Sequence, residues 1–152
     1  MTAAKHTEDQ GLFVDTEARH YGVSSLLAEP FDPSAGLVVQ YEATLQEGLE
    51  CGGAYLKFLN TDEKAFNPDA LDGDSPYTLM FGPDRCGGTD KVHVIFRHAS
   101  PKTGEVEEKH LANPPRVPGD KLPHLYALAV TPAGKLTVKI DGEAVFEGSL
   151  FE

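Results

Sequence analysis

Apolar and polar residues alternate along much of this chain. In "GLVVQYEATLQ" (36–46), Leu37, Val39, Tyr41, Ala43 and Leu45 share one face, and Gln40, Glu42, Thr44 and Gln46 share the other. A period of two with one apolar side predicts a half-buried antiparallel strand. "KVHVIFRH" (91–98), "HLYALAV" (124–130) and "KLTVKI" (135–140) also read as strands. Turn signals separate them. "TPAGK" (131–135) joins two strands, "ASPKTGEV" (99–106) reads as a hairpin loop, and Asp141-Gly142 in "IDGEAVF" predicts a type I′ hairpin. No segment keeps a helical period. Short strands with regular turns predict an all-β, antiparallel sandwich or jelly roll. Two stretches break the rhythm: the acidic "NTDEKAFNPDALDGDS" (60–75) and the proline-rich "ANPPRVPGDKLP" (112–123). No repeat, low-complexity tract or boundary divides residues 1–152, so one globular domain is expected.

Composition narrows the function classes. The net charge is −11, with no basic stripe to neutralise phosphates, which argues against nucleic acid and anionic membranes. Such a charge suits calcium, or simply solubility. No apolar run approaches the ~20 residues that span a bilayer. The opening "MTAAKHTEDQ" lacks an apolar core of the signal-peptide kind, so an intact secretory precursor is not expected. The two cysteines, Cys51 and Cys86, each precede a Gly-Gly pair. Glycine lets two backbones approach closely, but two cysteines alone leave a disulfide and two free thiols both open.

Candidate chemistry centres on two stretches. In "GAYLKFL" (53–59), read as a strand, Ala54, Leu56 and Phe58 face one way and Tyr55 and Lys57 the other. Neighbours of that kind lie about 6.5–7 Å apart, so a phenol and an ammonium can both reach one sugar. The plainer reading is an amphipathic strand with a polar outside. In "SPYTLMFGPDRCGG" (75–88), Tyr77 adds a phenol and Met80 a soft, adaptable contact. Strict alternation puts Tyr77 and Met80 on opposite faces, so they share a site only if the strand bends. The plainer reading here is a buried strand ending in a Gly-Pro turn. His93 and His98 fall on opposite faces of their strand, and His6, His20, His110 and His124 are scattered among other elements, so no zinc site is expected. "PDALDGDS" has the composition of a calcium loop without its spacing. No nucleophile-elbow, phosphate-loop, zinc-protease or sandwich-glycanase motif is present. The carboxylates of "EVEEKH" (105–110) read as a solvated hairpin.

Taken together, "LVVQYEATLQEGLECGGAYLKFL", "PYTLMFGPDRCGG", "KVHVIFRHASPKTGEVEEKH" and "HLYALAV" resemble the calnexin/calreticulin family, from about Gly11 to the end of the chain. The "RHASPKTGEVEEKH" hairpin points to the calnexin side. The resemblance implies a concanavalin-like jelly-roll lectin domain and a non-enzymatic chaperone of the endoplasmic reticulum lumen. Its expected partner is the monoglucosylated high-mannose N-glycan of a folding glycoprotein, and its expected cofactor is structural calcium. Carried over by motif, Tyr55, Lys57, Tyr77 and Met80 would bind glucose, Glu108 would be an acidic partner to the sugar, and Cys51–Cys86 would be a disulfide. Asp9, in "EDQGL", matches a calcium-ligand position.

The chain also departs from the family pattern. It stops at "GSLFE", where the family's proline-rich arm would begin, and it has no Trp. The expectation is therefore a truncated lectin domain, with calcium binding weakened and recruitment of a disulfide isomerase not expected. Two rivals stand beside it. One is a glycan-independent module binding unfolded polypeptide through sheet edges. The other is a sandwich-fold glycoside hydrolase, which needs two carboxylates flanking the scissile bond.

Overall fold

The computed structural model describes residues 11–60 and 70–151. Asp9 and most of the acidic 60–75 stretch lie outside the described residues. The described residues form nine strands: β1 (Leu37–Thr44), β2 (Cys51–Gly53), β3 (Leu56–Leu59), β4 (Tyr77–Cys86), β5 (Thr89–Ala99), β6 (Val106–His110), β7 (Pro123–Val130), β8 (Lys135–Ile140) and β9 (Glu143–Ser149). One sheet has the order β1-β7-β8-β9. The other has the order β2-β4-β5-β6, with β3 also paired to β4. Every pairing is antiparallel.

The alternation read from the sequence becomes the two inner faces of a β-sandwich. Leu37, Tyr126, Leu128, Leu136 and Val138 from the first sheet meet Leu79, Phe81, Val92 and Val94 from the second in one buried cluster. Val39, Tyr41 and Ala43 pack against it from β1, as the pattern requires. The Asp141-Gly142 hairpin forms with positive φ at both residues (54° and 85°), which a type I′ turn demands.

Tyr41 ties the two sheets together. Its ring stacks on Tyr126 at 5.7 Å and meets Phe81 edge-on at 5.9 Å. Its hydroxyl then donates to the Ala54 carbonyl at 2.7 Å, with the Phe81 carbonyl at 3.3 Å. Gly82 makes this possible. It has φ 149°, and a side chain there would run into the Ala54 carbonyl and the Tyr41 hydroxyl.

Three expectations are corrected. Gly82-Pro83 is not a turn: β4 runs through it to Cys86, and the Pro83 carbonyl accepts from the Ala54 amide at 3.0 Å. The turn comes later, at Gly87-Gly88, where Cys86 faces Thr89 across a two-residue loop with Gly87 at φ 56°. That second glycine pair therefore serves a hairpin rather than a close approach of strands. Finally, "GAYLKFL" is not one strand. Pairing to β4 stops at Gly53↔Asp84 and resumes at Leu56↔Phe81, leaving Tyr55 in the joint.

Candidate functional site

The outer face of the β2–β6 sheet carries the candidate residues. Lys57, Met80, Ile95 and His110 stand in one row across β3, β4, β5 and β6, each the register partner of the next. Ile95 is only 3% exposed yet lies outside the sandwich core, so this face has an apolar floor of its own.

Tyr77 joins the row through a β-bulge. Phe58 pairs with Leu79, but the next residue, Leu59, pairs with Tyr77, so Thr78 is the extra residue. An inserted residue reverses the alternation beyond it. Leu79 and Phe81 point into the core, and Tyr77 is turned to the side of Lys57 and Met80. The bend that these two residues needed in order to share a site is present. The Lys57 ammonium lies 5.2 Å from the Tyr77 ring centre and the Arg97 guanidinium 5.0 Å from it, arriving from the strands on either side of β4.

Hydrogen bonds fix both phenols. Tyr77 donates to Glu108 Oε1 at 2.7 Å. Burial first, and then this bond, pushes the phenol up to about 12, while the same bond heads the causes that keep the Glu108 carboxyl below its usual range. The other Glu108 oxygen lies 3.3 Å from His110 Nε2. Tyr55 donates to Asp84 Oδ2, and His93 Nε2 lies 3.4 Å from that oxygen. Burial, helped by Asp84, raises the Tyr55 phenol well above its ordinary value. The Tyr55 ring folds back over Gly53, filling the space a side chain there would take. The first Gly-Gly pair therefore seats a site tyrosine. Cys51 and Cys86 are joined by a disulfide at the far end of the same strand pair.

Sequence reasoning missed Asp84, Ile95, Arg97 and His93. His110 lies on another element than His93, as read, but the pairing of β5 and β6 brings the two rings to 6.3 Å. The signal for Arg97 and Ile95 was available, since both share the parity of His93 on β5. Glu108, read as part of a solvated hairpin, does lie on an exposed strand, but it is tied to Tyr77. Among the described residues, no group of three or more His, Cys, Asp or Glu is placed to hold a metal.

A family model described as the Calreticulin family matches residues 1–152. The chain belongs to the calreticulin family. It is 52% identical over 137 residues to calnexin homolog 1 of Arabidopsis thaliana, covering 90% of this chain and 26% of that protein. It is 45% identical over 150 residues to calmegin of Bos taurus, covering 95% of this chain and 24% of that protein. The T. cruzi calreticulin globular domain superposes with a TM-score of 0.67 at 35% identity, over 78% of this chain and 42% of that one. The chain thus spans about a quarter of the length of these curated relatives. Its membership agrees with an all-β sandwich of antiparallel sheets.

Proposed function

We propose that the outer face of the β2–β6 sheet binds carbohydrate without cleaving it, and that its ligand is the terminal glucose of a monoglucosylated high-mannose N-glycan on a folding glycoprotein. The bulge at Thr78 carries this reading, because it sets Tyr77 beside Lys57 and Met80. A sugar presents hydroxyls around an apolar ring face. Tyr77, Met80 and Ile95 offer apolar wall and floor, Lys57 donates only, and Glu108 and Asp84 accept. Family membership supports a role as a lectin-type chaperone module of the endoplasmic reticulum lumen, and the disulfide suits such an oxidising compartment. A glycosidase acid needs a raised pKa, whereas Glu108 is held low. Structural calcium is part of the proposal through Asp9, which matches a calcium-ligand position of the family.

The test is a glycan array, followed by calorimetric titration with a glucose-α1,3-mannose disaccharide. Discrete binding to glucose-capped mannose chains is expected. Lys57→Ala should weaken the disaccharide about ten- to a hundredfold, the effect of losing a charged hydrogen bond. Turnover of the glycan would instead indicate a hydrolase. Silence on the array, with retained binding of unfolded polypeptide, would leave a glycan-independent module.

A further inference from the structure

Arg97 carries a buried donor on this face that has nowhere to go. Its Nε is shielded from solvent and is without a hydrogen-bond partner among the described residues. An unpaired donor away from water is unfavourable, so its persistence calls for an explanation. The nearest acceptor in its ion pair is Glu108 Oε1 at 3.7 Å, just beyond hydrogen-bond range. That same oxygen already accepts from the Tyr77 hydroxyl at 2.7 Å. Glu108 Oε1 therefore stands between two donors and is bonded to one.

We propose that Arg97 is a positioning residue for carbohydrate binding: its guanidinium braces the Tyr77 ring, and its Nε waits as the second donor for Glu108. The proposal rests on the carbohydrate reading above. Its mechanism is an exchange of partners. When a sugar oxygen engages the Tyr77 hydroxyl, Glu108 loses that bond. Closing the gap to Arg97 from 3.7 Å to about 3.0 Å restores a charged partner. Glu108 then stays ionised and stays put, and its second oxygen is left to accept from the sugar.

Register makes the exchange possible. Arg97 faces Glu108 directly across β5 and β6, and the Thr78 bulge brings Tyr77 under the guanidinium. The charged and titratable groups facing Glu108 are Arg97 on β5, Tyr77 on β4 and His110 on its own strand. Without Arg97, a carboxylate whose side chain is 43% exposed on a wholly exposed strand would keep only a phenol and an imidazole. Lysine is a poor substitute, because an ammonium lacks the planar guanidinium that stacks on a ring.

The experiment uses the full chain and two variants, Arg97→Gln and Arg97→Lys. The titration of the Glu108 carboxyl is followed by carbon-detected NMR without sugar, and affinity for the glucose-α1,3-mannose disaccharide is measured across the same pH range. Arg97→Gln should move the Glu108 midpoint upward, because a cation that favours the carboxylate is gone. It should also weaken the disaccharide about tenfold, and the acid limb of binding should move up with the midpoint. Arg97→Lys should hold the midpoint near wild type while recovering only part of the affinity. An unmoved Glu108 midpoint in Arg97→Gln overturns the inference, whether or not the disaccharide binds. A wild type silent toward the disaccharide overturns the carbohydrate reading, and the positioning role with it.

Discussion

Tyr41→Phe tests how the sandwich interior supports the outer face. The substitution keeps the ring, and with it the contacts to Tyr126 and Phe81. It removes one hydroxyl, which donates at 2.7 Å to the Ala54 carbonyl. That carbonyl sits in a partly buried setting and would lose this donor. Leaving an interior acceptor unpaired costs about 1–3 kcal/mol, and partial burial favours the lower half of that range. In a domain of this size each kcal/mol lowers Tm by about 2–4 °C, so a fall of about 2–8 °C is expected. Burial holds the Tyr41 phenol above its ordinary range, so the hydroxyl keeps its proton and the loss should be constant from pH 5 to about pH 9. Urea unfolding followed by circular dichroism gives the value, with an unchanged slope showing that the same surface is exposed. Because Ala54 adjoins Tyr55, disaccharide affinity should fall in parallel. A stability loss below about 0.5 kcal/mol, the ordinary scatter of surface substitutions, would refute the idea that this hydroxyl joins the sheets.

Three further outcomes follow from the same geometry. Gly82→Ala should cost more than Tyr41→Phe, about 3 kcal/mol, because φ 149° and the Ala54 carbonyl both oppose a methyl group; adding Tyr41→Phe should relieve only part, and full relief in urea titrations would contradict the clash with backbone. Replacing both Cys51 and Cys86 by Ser opens a loop of 35 positions, worth about 4 kcal/mol by chain entropy, and an unchanged denaturation midpoint would refute it. His124 lies between Asp120 at 2.7 Å and Asp141 at 2.6 Å, and only its charged form donates from both ring nitrogens. Its hydrogen bonds to Asp120 and then Asp141 raise its pKa, so its contribution is complete below the unfolded value near ~6.5 and is lost as pH rises through the folded value. The two aspartates are lowered by the same bonds, so their share is lost only as pH falls through values below ~3.9. His124→Gln should flatten the stability profile above the unfolded value of ~6.5, and parallel profiles for variant and wild type would count against the clamp.

The strands were legible because each buries one face against the other sheet, and burial of one face writes a period of two into the residues. Leu37, Val39 and Tyr41 show this on β1, as do Leu136 and Val138 on β8. Tyr55, Lys57, Tyr77 and Met80 came from likeness to a family, and residue pattern alone favoured plain strands. The reason is physical. The site depends on one inserted residue, Thr78, and a bulge leaves no compositional mark at the residue that makes it. Gly53 was visible but its purpose was not, because a ring folding back two residues is a tertiary event. Arg97 shares the parity of His93, but its place beside Tyr77 and Glu108 comes from the pairing of β4, β5 and β6, which the sequence does not spell out.

All five residues of β6 are exposed, and among the described residues β5 is its one strand neighbour. The acid of the candidate site therefore rides on an element whose detachment would expose little buried surface. Such detachment belongs to the low end of the local-opening energies in a folded domain. Any ligand that needs Glu108 sees only the docked fraction, so its apparent dissociation constant is the intrinsic one divided by that fraction. By the same linkage the ligand draws the strand in, and amide exchange along Val106–His110 should slow on binding more than exchange in β4 or β5. A sequence change in the β5–β6 loop, from Ser100 to Glu105, should thus tune affinity without touching a residue of the candidate site. Recognition and strength are thereby partly separable: β3, β4 and β5 hold their site residues fast, and how tightly one outlying strand is moored sets how much of the site is assembled.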